Sequence, residues 1–284
     1  MLNSVEQGAD VGGERVGRKQ NLTALAAIFS PTCLLVYPKK AILAYLKTQL
    51  YIYMKKIVVL TGAGMSAESG FSTFRDADGL WNRYPVEKVA TPEGWQEDPN
   101  LVTDFYNGLR RQLVEARPNR GHELLAQLEE RFEVTVVTQN VDNLHERGGS
   151  SNVIHLHGEL MRMCSSNDPD NTDYHVTLSP EQPEVEPGTL AADGSLLRPW
   201  IVWFGEAVPR LEEAIAEALT ADIFVVIGTS LNVYPAASLV QFVMPGVPIY
   251  LIDPKEVNVP TNMPVTVIKA TATEGMKRLM QELR

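Results

Sequence analysis

The sequence predicts an α/β protein built on a doubly wound parallel sheet, with a small subdomain inserted in it. Short, continuous apolar runs rich in Val and Ile alternate with longer stretches of helical periodicity. A glycine-rich loop follows directly after the first of these runs. Strands that are buried on both faces have this continuous apolar character, and a helix between successive strands is typical of a parallel sheet.

The predicted strands and helices alternate along the chain. The strands are Lys56–Leu60, Val134–Val137, Ile223–Ile227, Pro248–Ile252 and Val265–Ile268. The helices are Leu101–Glu115, His122–Arg131, Leu211–Leu219 and Glu274–Leu283. Because ligands bind at the carboxyl ends of strands in such a sheet, functional residues are expected directly after these strands.

Two segments depart from this alternation. Residues 161–200 hold five prolines and many acids but little periodicity, which predicts an irregular small-subdomain insertion. Residues 1–53 carry three acids and six bases, a net charge of +3. Because the whole chain has a net charge of −10, residues 54–284 carry a net charge of −13. We interpret 1–53 as an N-terminal extension outside the catalytic domain 54–284, and as a candidate for a misread upstream start. The alternative is a targeting arm, for which Arg15–Lys19 is the support.

Composition excludes several classes of protein. A net charge of −10 argues against nucleic-acid binding, which needs clustered Lys and Arg, and is compatible with a basic peptide partner. Two cysteines, Cys33 and Cys164, are too few for a disulfide framework or a four-Cys zinc site. No apolar run reaches the length of a membrane span. We therefore expect a soluble, cytoplasmic protein without membrane or nucleic-acid partners, and the oligomeric state stays open.

The glycine loop Thr61–Gly70 is the first chemical motif. Within it, Gly62-x-Gly64-x-x-Ala67 has the spacing of a dinucleotide fingerprint. Gly62 permits a tight turn, Gly64 lets the backbone approach a pyrophosphate, and Ala67 allows close helix packing. Exposed amides at the start of the helix would then attract phosphate. The alternative is an ordinary strand-to-helix turn.

Polar residues follow the second strand in Thr138–His145. Amides and a carboxylate at the end of a strand can orient a ribose and a carboxamide, although Asx-turn and N-cap chemistry explains them equally well.

Next comes the segment His155-Leu156-His157-Gly158-Glu159. We expect its two histidines to point to opposite sides, one to a cleft as a proton acceptor and the other into the core. A metal pair is the rival interpretation, and a structural role is the default for either histidine alone.

Two later motifs complete the set. Val202–Glu206 is an aromatic, extended segment that could add a peptide strand by edge pairing, or could be a core strand. Gly228-Thr229-Ser230 ends a buried strand, where small residues leave room for a nucleotide.

Together, in this order, these motifs resemble the sirtuin (Sir2) family, and Thr73–Trp81 is most similar to its bacterial deacylases. The resemblance covers residues 54–284. It implies a Rossmann-like domain with a smaller one, and an NAD-dependent protein-lysine deacylase, with NAD as a consumed co-substrate and acylated lysine as the other. The acyl oxygen attacks the nicotinamide ribose, nicotinamide leaves, and the acyl group moves to ADP-ribose.

The resemblance also assigns residues to roles. His157 is the implied base, and Asn140 and Asp142 are the other catalytic residues. The implied NAD contacts are Gly62, Ala63, Gly64, Ser66, Ala67, Phe74, Arg75, Trp81, Gln139, Asn140, Asp142, Gly228, Thr229, Ser230, Asp253 and Ala272. The implied acyl-lysine contacts are Tyr106, Val202, Phe204 and Gly205. Two alternatives share the chemistry or the fold: an NADase or ADP-ribosyltransferase, and a sensing module that binds NAD or ADP-ribose without turnover.

Departures from the family pattern give further expectations. Of the usual four zinc cysteines only Cys164 is present, so no zinc is expected. Asp253 stands where the family usually has Asn, which favours NAD over NADP. Desuccinylating members have a Tyr-x-x-Arg motif, and in this sequence Leu109 takes the place of the Arg three residues after Tyr106. Gly94 stands where bacterial relatives have Ala. We therefore expect neutral acyl groups, with extra room at Gly94 for longer chains.

Overall fold

A six-stranded parallel sheet forms the centre of the fold. Its strands are β1 (Lys56–Thr61), β2 (Glu133–Thr138), β3 (Val153–His155), β7 (Ile223–Ile227), β8 (Ile249–Ile252) and β9 (Val265–Ile268). Their order across the sheet is β3-β2-β1-β7-β8-β9. This computed structural model describes residues 54–71, 84–229, 231, 234–257 and 264–284. The doubly wound sheet is confirmed, and every predicted strand lies within one residue of its predicted bounds.

Both faces of the sheet are covered, which explains the continuous apolar strands. Ile57 and Val59 of β1 belong to one apolar cluster, whereas Val58 and Leu60 belong to another on the opposite face. Because side chains alternate along a strand, both sets are buried only where helices pack on both faces. The extra strand β3 was not predicted, since three residues are too few for a periodic signal.

The helices begin and end at recognisable residues. They are α1 (Val86–Val89), α2 (Pro92–Glu97), α3 (Pro99–Glu115), α4 (Arg120–Gln127), α5 (Leu144–Arg147), α6 (Leu211–Leu219) and α7 (Ala272–Glu282). Helix α3 begins two residues before its predicted start because Asp98 caps it through the Leu101 amide and Pro99 fits its first turn. Helix α4 ends four residues early, and Leu128–Glu130 continues as a 3-10 turn. No helix of the described ranges is long and apolar enough to cross a membrane.

A second, three-stranded antiparallel sheet replaces much of the expected irregular segment. It contains β4 (Gly158–Ser165), β5 (Val176–Thr177) and β6 (Leu197–Ile201), in the order β5-β4-β6. The expectation of irregular chain throughout 161–200 is therefore wrong at both ends. Pro199 is accommodated because β6 is an edge strand, where a missing amide proton costs no ladder hydrogen bond. The connection between these strands holds the other prolines.

Residues Lys55–Arg284 form one compact unit. The extension predicted for residues 1–53 lies outside the described residues.

Candidate active site

The carboxyl ends of five parallel strands meet in one row. The pairing register aligns Ile252, Ile227, Thr61, Thr138 and His155 across the sheet. The residues that follow each of them therefore lie side by side along one edge. Nearly all the described site residues predicted from the sequence fall on this edge.

Two glycine loops form the floor of the edge. The Gly62 amide donates to the Ile227 carbonyl at 3.0 Å, and the Gly64 amide donates to the Gly228 carbonyl at 2.8 Å. A Cβ atom on Gly64 would lie 2.6 Å from the Cα of Gly228, and Gly228 itself has φ of 63°. Only glycine fits this backbone-to-backbone contact. The result is a surface of bare backbone that a phosphate can approach closely.

The expected helix after the glycine loop is wrong for the described residues. Two 3-10 turns, Ala63–Met65 and Ala67–Ser69, follow Gly62 instead. The amides of Gly64, Met65 and Ser66 already donate to backbone carbonyls, because three-residue turns close on themselves. Fewer free amides point to a ligand than the fingerprint predicts.

Asn140 and Asp142 meet the glycine loop through Ser66. The Nδ2 atom of Asn140 donates to the Gly62 carbonyl at 3.1 Å and to Ser66 Oγ at 3.2 Å. The hydroxyl of Ser66 donates to Asp142 Oδ2 at 2.9 Å, and the Leu144 amide donates to Asp142 Oδ1. Burial raises the pKa of the Asp142 carboxyl, although these hydrogen bonds oppose the shift. The Asx-turn interpretation is thus confirmed at Asp142, whereas Asn143, the N-cap residue of α5, caps the helix with no side-chain hydrogen bond.

A hydrogen bond links the second glycine loop to the same segment. The Nε2 atom of Gln139 donates to Thr229 Oγ1 at 3.1 Å. The Oδ1 atom of Asn140 accepts no hydrogen bond from any described residue, and it is available to a ligand at the edge.

His157 has one ring nitrogen engaged and one available. Its Nδ1 atom lies 3.0 Å from the Gln139 carbonyl oxygen, which can only accept, so Nδ1 carries the proton. Burial lowers the pKa of the ring, which keeps it neutral near pH 7. Within the described part of the chain, Nε2 has no partner. A neutral ring with a fixed Nδ1–H and an open Nε2 lone pair has the form of a general base.

His155 is the more deeply buried of the two histidines. Its Nδ1 atom lies 3.0 Å from the carbonyl oxygen of Asn140, the neighbour of Gln139. The expectation that the two rings point to opposite sides stays a prediction. The other ring nitrogen, Nε2, lies 2.7 Å from Glu146 Oε1. Sequence reasoning missed Glu146. Its only signal in the sequence is its position four residues after Asp142, in α5.

The segment after β6 approaches the site from the small sheet. Strand β6 ends at Ile201, so the core-strand interpretation of Val202–Glu206 is wrong. The Val202 amide donates to the His157 carbonyl, and the Phe204 amide donates to the Ala90 carbonyl. Phe204 exposes 52% of its surface next to Gly205, which is also exposed. Val202 thereby sits one hydrogen bond from the candidate base.

A buried arginine holds the turn in this segment. Arg198 binds both carboxylate oxygens of Glu206, and its guanidinium carbon lies 3.5 Å from the ring centre of Trp203. Glu206 also accepts from the Trp203 amide at 2.7 Å. Sequence reasoning missed Arg198, which stands within a strand and lacks a motif.

Tyr106 and Leu109 are buried behind Trp203. The Tyr106 hydroxyl accepts from Trp203 Nε1 at 3.0 Å, and each residue is 1% exposed. In this structure Tyr106 therefore contacts a neighbour of the predicted acyl-lysine residues, and its contact with substrate stays a prediction. Arg110 is turned away, with its guanidinium on the Leu160 carbonyl and Asn107.

The expectation of extra room at Gly94 is wrong. A Cβ atom there would lie 2.5 Å from the carbonyl oxygen of Lys88, so the missing side chain lets α2 pack on the end of α1. It opens no space for a substrate.

The remaining predicted residues fall into two groups. Asp253 follows β8 and is 9% exposed, with its carboxylate on the Lys255 amide. Ala272 is buried at the start of α7, whereas Ala63 is partly and Ala67 fully accessible beside the glycine floor. Phe74, Arg75, Trp81 and Ser230 lie outside the described residues.

Cys164 stands where the family would hold zinc. Its side chain is buried, and burial raises the pKa of the thiol to about 12. Among the described residues, no three His, Cys, Asp or Glu side chains group as metal ligands would. A thiol kept protonated is a poor ligand, so the residues present do not fit a structural zinc. The expected absence of zinc stays a prediction.

The fold is thus Rossmann-like, and its strand edge forms a candidate nucleotide site with His157 as the candidate base. A sequence profile of the Sir2 family matches residues 62–235. An NAD-dependent protein deacylase of Bacteroides thetaiotaomicron is 63% identical over 81% of this chain and 98% of its own length. One from Helicobacter pylori is 50% identical, also over 81% of this chain and 98% of its own.

Solved structures give the same result. A complex of a mutant Sir2 homologue with ADP-ribose is 38% identical, with a TM-score of 0.73 over 87% of this chain and 97% of that one. A structure described as Sir2, p53 peptide and NAD⁺ is 31% identical, with a TM-score of 0.68 over 83% and 96%. The chain belongs to the Sir2 family.

Proposed function

We infer that this protein is an NAD-dependent protein deacylase that transfers the acyl group of a modified lysine to ADP-ribose. The observation that carries this is the neutral His157 at the strand edge, whose Nδ1 is held by Gln139, the neighbour of Asn140, and whose Nε2 has no partner among the described residues. The deacylase relatives and the NAD-bound and ADP-ribose-bound family structures support the same activity.

The edge fits NAD. The bare backbone at Gly62, Gly64 and Gly228 gives a pyrophosphate the close approach that side chains would prevent. Asp253, which ends the neighbouring strand, is placed to accept hydroxyls of the adenosine ribose. When bound, NAD supplies a ribose carbon that becomes electrophilic as nicotinamide leaves.

His157 is the base that takes a proton from a ribose hydroxyl. Proton transfer would occur at Nε2, while Nδ1–H stays on the Gln139 carbonyl and stabilises the imidazolium that forms. Because burial lowers its pKa, the ring is ready to accept a proton at neutral pH. The rate should therefore fall as the pH drops through this lowered pKa.

Asn140 and Asp142 orient the nicotinamide end. The Nδ2 atom of Asn140 donates two hydrogen bonds, which fix the plane of the side-chain amide and so the direction of its Oδ1 atom. Asp142 is 1% exposed, and Ser66 and the Leu144 amide hold its carboxylate in place. We propose that Asn140 contacts the ribose and Asp142 the carboxamide. A buried site also excludes water, which would otherwise trap a cationic intermediate.

The acyl-lysine peptide would lie along Val202–Gly205. The main chain there leaves the edge of the small sheet and is linked to His157 by the Val202 amide. Phe204 and Gly205 are exposed beside it, as a peptide-binding segment requires.

Mass spectrometry of the products tests this function. NAD and a panel of acylated lysine peptides should give O-acyl-ADP-ribose, free nicotinamide and unmodified peptide in equal amounts. Plain ADP-ribose that forms at the same rate without peptide would instead identify an NADase. Binding of NAD without any product would identify a sensing module.

A further inference from the structure

The ion pair of Glu146 with the buried His155 contacts the candidate active site through Asn140 but takes no part in the function above. His155 exposes 3% of its side chain. Its Nδ1 faces the Asn140 carbonyl oxygen at 3.0 Å, and its Nε2 faces Glu146 Oε1 at 2.7 Å. A carbonyl and a carboxylate can only accept hydrogen bonds, so both ring nitrogens must donate. The arrangement therefore requires an imidazolium at His155.

The shared proton belongs on the ring. Glu146 exposes 40% of its side chain, so its ionised form keeps contact with water. Burial opposes charge on His155, but the hydrogen bond and the charge of Glu146 outweigh it and raise the pKa of the ring. Burial would raise the pKa of Glu146, but the hydrogen bond to His155 and the charge of that ring together lower it.

The two histidines thus differ in charge while they hold consecutive carbonyls. His157 donates from Nδ1 to Gln139 and keeps Nε2 open, whereas His155 donates from both nitrogens and has none free. One is built to accept a proton, and the other is built to keep one.

Asn140 is the residue that His155 holds. Its amide nitrogen donates to Thr138 Oγ1, and its side chain donates to the Gly62 carbonyl and Ser66 Oγ. Its carbonyl is the remaining anchoring point, and the charged ring of His155 supplies a charge-assisted donor there. If the ring lost one proton, the remaining proton would stay on Nε2, where it is bonded to the Glu146 carboxylate. The lone pair of Nδ1 would then face the Asn140 carbonyl oxygen, and that hydrogen bond would be lost.

We propose that the Glu146–His155 ion pair is a positioning device that fixes Asn140 for the reaction through a charged hydrogen bond to its carbonyl. The proposal rests on the deacylase function proposed above. His155 is a positioning residue, because it acts through Asn140, and packing in the core is not its only role.

Replacing the ring gives the first test. His155→Leu removes the donor, and kcat per folded molecule should fall about 10–100-fold, the usual effect of losing a hydrogen bond from a charged group. The KM for NAD should change less than about threefold. His155→Asn, whose side-chain NH₂ can replace the Nδ1 donor, should recover most of kcat. Equal kcat for His155→Leu and wild type, or no recovery in a folded His155→Asn, would overturn the proposal.

The pH profile gives the second test. The charged or titratable groups that face His155 are Glu146 and His145 of α5, Asp142 before it, and Glu159 of β4. In the wild type, kcat should fall as pH rises through the raised pKa of His155. In Glu146→Gln, the side-chain amide can donate to Nε2 of a neutral His155 ring. The single ring proton then stays on Nδ1 and keeps the hydrogen bond to Asn140, so this basic limb should disappear. Glu159→Gln is the matched control, since its carboxylate binds Arg162, and should retain the limb. An identical limb in all three proteins would contradict the proton assignment.

A third measurement does not depend on activity. Nitrogen-15 NMR of histidine-labelled full-length protein at pH 7 should show both ring nitrogens of His155 protonated and only Nδ1 of His157 protonated. A neutral His155 ring would overturn the proposal even in an active enzyme. If His155 is charged but the protein is inactive, the deacylase function is contradicted. The positioning role, which depends on that function, is then contradicted too.

Discussion

The two sheets of this protein are stabilised in different ways. The parallel sheet is held by apolar burial on both faces, and strand residues such as Val58 and Val59 are fully buried. In the small sheet, Leu160 and Ile201 belong to the apolar cluster of α3, a further cluster has only four buried residues, and the loops are held by single polar side chains such as Ser165 and Arg198. Apolar burial is non-directional, whereas polar contacts depend on individual atoms. Substitutions at the edge of the parallel sheet should therefore reduce activity, and substitutions in the small sheet should reduce stability.

The largest effect is expected at the edge of the parallel sheet. His157→Ala should lower kcat about 10²–10⁴-fold, the contribution of a general base, and leave the Kd for NAD within about threefold. His175→Ala, directly before β5, is the matched control, since that ring bonds the Pro169 carbonyl and packs on Trp200. Its kcat should stay within about twofold of the wild type. A His157→Ala enzyme within threefold of wild type would remove this residue from the mechanism.

The next effect concerns the acyl group, where α3 packs on the small sheet. Acetyl and butyryl peptides should have kcat/KM at least about tenfold above the succinyl peptide, because an unpaired buried carboxylate is costly. Leu109 is buried and apolar, and Arg110 is engaged elsewhere. Comparable succinyl turnover would show that another cation reaches the channel. Leu109→Arg should raise the ratio of succinyl to acetyl turnover within the same protein preparation.

A smaller, purely structural effect is expected in the small sheet. The Ser165 hydroxyl accepts from the Asn167 and Asp168 amides and donates to Asp193. Ser165→Ala should lower the free energy of unfolding by about 0.5–1.5 kcal/mol, because the amides of Asn167 and Asp168 lose their hydrogen-bond acceptor. Exposed Ser179→Ala should cost under about 0.5 kcal/mol.

Metal analysis adds to the same comparison. The purified protein should hold well under one zinc per chain, and a chelator should leave its Tm unchanged. Stoichiometric zinc would show that the small sheet depends on a metal, as well as on these hydrogen bonds.

The smallest effect should follow removal of residues 1–53. The compact unit begins at Lys55, so the Tm and kcat/KM of the shortened protein should match those of the full chain. Loss of soluble expression would instead show that the extension contributes to folding.

The parallel sheet could be predicted from the sequence because burial on both faces leaves a simple local pattern. The small sheet could not, since its strands pair across about thirty residues of proline-rich chain and Pro199 itself lies in β6. Local periodicity carries no record of such pairing.

The candidate site divides in a similar way. Residues that directly follow strands, such as Asn140 and His157, are found by position alone. Arg198 and Glu146 are not, because their importance comes from what they touch across the fold. The two histidines show the limit most clearly, since their charge states follow from hydrogen-bond acceptors that no sequence pattern displays.

The contact between the two glycine loops restricts how this protein can vary. Gly64 and Gly228 occupy each other's side-chain space, so neither position can change to another amino acid independently of the other. Gly188 has a similar positive φ but open space around it, and Asn could replace it at modest cost. Mutational tolerance should therefore change sharply between glycines that have the same backbone conformation. Any redesign of nucleotide preference would have to move both loops together.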